Sequence, residues 1–160
     1  MSGNDRPAND DLEPDEALAE LLEEIADRLG LQVEVEVEEA DGVLTGRLIG
    51  DDVGLFIGRH GQTIDAVQTL ASAIVAGADE ERRAVVVDAA GYRQRRRRTL
   101  EALAGRCAEE VVRTGEPVEL EPMSSAERKI VHTALQDHES VTTTSEGEEP
   151  NRRVVVEPAV

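Results

Sequence analysis

The sequence predicts an α+β protein built as two small modules joined by a long helix. Three observations carry that expectation. Residues 32–38 alternate valine with Gln32 and glutamates ahead of an Asp41-Gly42 turn, two helical patterns flank the run Gly58-Arg59-His60-Gly61, and a long arginine-rich helical pattern precedes a second helix and a closing hairpin. A chain of 160 residues with 39% hydrophobic composition can bury one ordinary core or two modest ones. Phe56 and Tyr92 are its only aromatic residues. The cores must therefore rest on Val, Leu, Ile and Ala, and a broad aromatic platform for stacking bases is excluded.

Residues 1–14 are polar, acidic and broken by Pro7 and Pro14, a composition that buries too little apolar surface to order itself, so they are expected to form a disordered acidic tail. Across 15–29, Leu18, Leu21, Leu22, Ile25 and Leu29 recur at helical spacing with Gly30 as the stop. Val33, Val35 and Val37 alternate with Glu34, Glu36 and Glu38, the period-two pattern of a half-buried strand, and 43–49 returns as the second strand of a hairpin. A short helix is expected over 52–57, with Asp52 near its positive end. After Gly61, the spacing of Ile64, Val67, Leu70, Ala71, Ile74 and Val75 predicts a helix that ends before Gly77. Residues 83–88 hold Ala-Val-Val-Val and read as a strand buried on both faces.

The second module opens with a helix over 92–113, built on Leu100, Leu103, Ala104, Cys107 and Val111 and stopped by Gly115 and Pro117. A short strand at 118–120 follows. Ser124 and Glu127 then stand at capping-box spacing, so a helix should start there and run to about Gln136. Residues 141–145 and 153–157 form a terminal hairpin.

The formal net charge of −18 opposes encounter with a polyanion. The charge is uneven, however. Residues 1–52 carry 17 acids against 3 arginines, whereas 53–160 carry 18 acids against 14 Lys and Arg. Arg93 and Arg95, Arg96, Arg97 and Arg98 stand together with no acid among them, and such a patch acts within a Debye length of roughly 8–10 Å. Cys107 is alone, which excludes an internal disulfide and a cysteine metal cluster. The three histidines and the carboxylates have no ligand or triad spacing, so no metal, cofactor or catalytic nucleophile is expected. No stretch is long and apolar enough to span a membrane, and the first residues lack a signal core, so the chain is expected in the cytoplasm with no direct membrane insertion.

Two constellations point to function. Gly58 and Gly61 bracket Arg59 and His60, a turn whose backbone can approach a phosphate while the side chains between add charge. Ile57 precedes it, and Val53, Phe56 and Ile64 are candidates for an apolar groove on which bases rest. The bland alternative is a simple corner, since Gly-x-x-Gly recurs by chance. The element order helix-strand-strand-helix-turn-helix-strand over residues 15–90 resembles a type II KH domain, αββααβ with a mixed three-stranded sheet, which implies a clamp on about four nucleotides of a single strand.

The second constellation is Arg128-x-x-x-His132, four residues apart on one helical face, with Lys129 beside them. With Glu146-Gly147-Glu148-Glu149-Pro150 downstream, it resembles the R-three-H domain, which would occupy 91–160 with its arginine-rich helix first. Arg93 and Arg97 share a face and can extend a basic path, or Arg97 can pair with Glu101. The two domains in this order, with Gly91-Tyr92-Arg93 between them, resemble the bacterial Jag family, also called SpoIIIJ-associated or KhpB proteins. The resemblance implies single-stranded RNA binding that acts post-transcriptionally, linked to cell elongation, cell shape and envelope growth, with a small KH-only protein as possible partner. Two departures are visible. Many relatives carry a further N-terminal domain, and often Pro-Tyr where this chain has Ser125-Ala126. The rival from another class is an interaction scaffold with vestigial nucleic-acid motifs, discriminated by whether RNA is bound at all. A nucleotide-using enzyme comes third, because Gly54, Gly58 and Gly61 do not give G-x-G-x-x-G and no Gly-Lys-Ser/Thr follows.

Overall fold

The computed structural model describes residues 12–78, 81 and 83–159. The acidic tail expected over 1–14 therefore lies outside the described residues up to position 11. Pro14 already opens the first helix. The chain divides into two compact units between Tyr92 and Arg93.

In the first unit, α1 (Pro14–Arg28) starts with a capping box in which Glu13 and Glu16 exchange side-chain and backbone contacts. It ends in a Schellman turn. Gly30 at φ 69° donates to the Asp27 carbonyl, and Leu31 donates to that of Ala26. Leu31 thereby enters the core, whereas Leu29, placed by its spacing on the apolar face, sits exposed at the cap. The strands β1 (Glu34–Ala40) and β2 (Val43–Ile49) pair antiparallel, and β3 (Ala84–Ala89) joins β2 in parallel, giving the mixed order β1-β2-β3.

Only one face of this sheet is covered. Leu44, Leu48, Val87 and Ala89 are buried beneath α1 and the helix α3 (Gln62–Ala78), while Glu34, Glu36 and Glu38 face outward. This corrects the reading of 83–88 as a strand buried on both faces. β3 is an edge strand, and Val85 and Val86 are only half-buried. Its open backbone is closed by Gln68 of α3, which donates to the Val85 carbonyl (2.6 Å) and accepts from the Val87 amide (2.7 Å). α3 also runs through Gly77, which meets open space and costs only about 1 kcal/mol in a helix.

The helix α4 (Tyr92–Thr114), all but its first residue in the second unit, buries Leu100, Ala104, Cys107, Ala108 and Val111 along one stripe. Two strands, β4 (Val118–Glu119) and β5 (Val141–Glu146), flank β6 (Arg153–Pro158) in an antiparallel sheet of order β4-β6-β5. Val131 and Leu135 of α5 (Ser125–Leu135) complete the core with Val154 and Val156. The Ser124/Glu127 capping box is present: Ser124 Oγ accepts from the Glu127 amide (3.3 Å), and Glu127 Oε2 accepts from the Ser124 amide (3.2 Å). Ser124→Ala is expected to lower stability by about 1 kcal/mol, read from the urea midpoint, and an unchanged midpoint would show that the cap carries no load.

Candidate nucleic-acid interface

The run 58–61 is pinned between two core elements. Upstream, α2 (Gly54–Ile57) is a single turn whose Phe56 is fully buried, and downstream Ile64 of α3 is fully buried too. Each such side chain contributes roughly 1.5–3 kcal/mol, so the turn between them is held on both sides. Asp52 does not cap α2: the cap position falls to Val53, with no side-chain bond.

Gly58 has φ 72° and ψ −177°, a conformation essentially reserved for glycine, and donates its amide to the Gly54 carbonyl (2.8 Å). A Cβ there would collide with Thr63, 2.9 Å from its amide nitrogen. Arg59, His60 and Gly61 form a 3-10 turn, with His60 left-handed at φ 51°, ψ 29°. Gly61 at φ 80° is buried, and a Cβ on it would lie 2.9 Å from the Tyr92 ring. Between the two glycines, the side chains of Arg59 and His60 are exposed. The positive end of α3 begins one residue later; its first amide, that of Gln62, donates back to the Arg59 carbonyl.

The groove expected beside this turn is different in kind. Val53, Phe56 and Ile64 are core residues, and Ile57 is half-buried. The exposed apolar side chain here is Leu55, 63% accessible, which the sequence reading passed over. The signal that would have found it is the shortness of α2: in one turn flanked by buried Val53 and Phe56, position 55 must point outward.

In the second unit, Arg128 and His132 lie on one face of α5, but neither is a free surface cation. Arg128 is 8% exposed. One guanidinium nitrogen donates to the Met123 carbonyl (2.7 Å) and the other to Glu149 Oε1 (2.7 Å) in the loop between β5 and β6. His132 is half-buried, with Nδ1 2.6 Å from Thr143 Oγ1 and Nε2 2.8 Å from Ser145 Oγ on β5. A neutral ring satisfies both hydroxyls by donating to one and accepting from the other. Lys129 is exposed.

Burial, and then the positive charge of Arg128, hold the His132 pKa below its ordinary value. The unfolded ring binds a proton more readily than the folded one, so His132 contributes stability that is present above the unfolded pKa and lost as pH falls through the folded one. Lowering pH from about 7 to about 5.5 should therefore cost the wild type more stability than His132→Gln, measured by urea midpoints at each pH. Equal losses in the two proteins would remove His132 from the account.

The arginine run separates into individual assignments. Arg96 donates Nε to Glu127 Oε1 (2.7 Å), tying α4 to the capping carboxylate of α5. Arg97 pairs with Glu101 one turn on (2.9 Å), the alternative its spacing allowed. Arg93 is half-buried. Among the described residues, no group of three or more His, Cys, Asp or Glu side chains could hold a metal ion, and no helix is long and apolar enough to cross a membrane.

Comparison with known proteins gives two family matches: the KH domain of KhpA and KhpB over residues 15–87, and the R-three-H domain over residues 98–158. The chain is 42% identical over 139 residues to an RNA-binding protein KhpB of Clostridium symbiosum, covering 86% of this chain and 63% of that protein. The chain belongs to the KhpB family. KhpB proteins of Lactiplantibacillus plantarum (40% identical over 140 residues, 88% of this chain and 44% of that protein) and Bacillus subtilis (35% over 137 residues, 84% and 66%) extend the match. The chain thus spans from under half to about two-thirds of the length of these KhpB relatives. Its fold is that of a KH domain followed by an R-three-H domain, as the element order implied.

Proposed function

We propose that this chain binds single-stranded RNA and acts post-transcriptionally, without chemistry. The observation that carries the reading is the Gly58–Gly61 turn: two glycines held at positive φ expose Arg59 and His60 between them at the start of α3. The positive end of α3 favours a phosphate there, the Arg59 and His60 side chains add donors, and Ile57 and Leu55 offer an aliphatic rest for a base. With no aromatic platform beside it, the turn should hold backbone and shape better than it reads sequence. The second unit offers its own basic contact in the exposed Lys129 of α5, beside Arg128 and His132, and Arg93 and Arg97 add positive charge on α4. The relatives' name, RNA-binding protein, supports the same reading.

By its family, the reading extends to a cytoplasmic role in cell elongation, shape and envelope growth, with a small KH-only protein as partner. Crosslinking in cells followed by sequencing of bound RNA tests the core of it. Enriched transcripts are expected, and none above background would favour a protein scaffold. Cell length in a strain lacking the gene tests the physiological extension.

A further inference from the structure

The Arg128/His132 pair invites the reading that both side chains meet one phosphate. The geometry assigns them to something else. Each is spent on a different part of the β5–β6 hairpin: Arg128 holds Glu149 in the connecting loop, and His132 holds Thr143 and Ser145 on β5. Arg128 also holds the Met123 carbonyl just before α5. Arg128 is 8% exposed, and its charge already faces a carboxylate at 2.7 Å, whereas Lys129 on the same helix is exposed.

We propose that Arg128 is a positioning residue: together with His132 it clasps the β5–β6 hairpin onto α5, and RNA is met by Lys129 and by the Thr143 and Ser145 hydroxyls that the clasp holds in place. This rests on the single-stranded RNA reading above. The fork geometry matters, because a guanidinium reaches two acceptors in fixed directions while an ammonium is a compact point charge. A buried, compensated cation also releases no counterion when RNA arrives, so its loss changes affinity without changing salt dependence.

The test uses the full chain and a fluorescently labelled oligouridylate, with affinity measured over a range of salt for Arg128→Lys, Arg128→Gln, Glu149→Ala, Glu148→Ala and Lys129→Gln. Arg128→Lys, Arg128→Gln and Glu149→Ala should each weaken binding about tenfold with the wild-type salt slope, while Lys129→Gln should flatten the log-log slope by about 0.7. Combining Arg128→Gln with Glu149→Ala should weaken binding no further than either alone, as expected of two members of one contact. Glu148→Ala removes the same charge from the same loop and measures what that charge does by itself.

The proposal is overturned if Arg128→Lys keeps wild-type affinity and Glu149→Ala binds more tightly than Glu148→Ala. Arg128 would then be a phosphate ligand for which Glu149 competes. Should the wild type bind no single-stranded RNA, the functional reading fails, and hydrogen exchange decides the clasp separately. Faster exchange confined to residues 146–152 in Arg128→Lys upholds it, and unchanged exchange there overturns it.

Discussion

Arg59→Asp combined with His60→Asp is expected to weaken binding to single-stranded RNA by at least about tenfold while leaving the fold intact. Both side chains are exposed and lie between the glycines, so the change removes a cation, and adds two anions, where phosphates are expected. Neither residue belongs to the core, and the turn is fixed by Phe56 and Ile64 on either side, so thermal unfolding should be nearly unchanged. His60 is left-handed, a conformation that aspartate tolerates better than most residues, which keeps the double variant free of added strain. Affinity by fluorescence anisotropy and stability by circular dichroism, measured on the same preparations, separate the two effects. Wild-type affinity in the double variant would remove the clamp from the account.

Gly58→Ala is expected to cost about 2–4 kcal/mol of stability and to abolish tight RNA binding, because two penalties coincide. The backbone at φ 72°, ψ −177° is one that side chains rarely adopt, and a Cβ there runs into Thr63 at the entry to α3. Relieving the collision moves the start of α3 away from the turn, so the amides that would meet phosphate lose their alignment. Gly54→Ala is the companion control. Gly54 meets open space and has no positive φ, so it should fold and bind as the wild type does. If both variants behave alike, the special backbone of Gly58 is not what makes the turn.

Most of the architecture was legible because its signals are local. The valine/glutamate alternation of 32–38 and the Asp41-Gly42 turn fixed a hairpin whose first strand slipped by two residues, and Ser124 with Glu127 located the start of α5. What escaped depends on neighbours distant in sequence. Three consecutive valines in β3 read as doubly buried, but an edge strand over a one-sided core leaves Val85 and Val86 half-covered. Phe56 and Ile64 looked like groove residues because they adjoin the glycines, yet the same nearness to the core that fixes the turn buries them. The burial of Arg128 runs against the ordinary exposure of arginine. Its burial depends on Glu149, 21 residues away, which no helical spacing reports.

In the proposed function, the turn between the two glycines holds the RNA backbone. Amide chemical-shift mapping by NMR, with single-stranded RNA titrated into the ¹⁵N-labelled chain, tests it most directly. The largest shifts are expected at the amides of Gly58, Arg59, His60, Gly61 and Gln62. RNA that binds while these five amides stay in place would contradict the account, and would assign binding to the second unit alone.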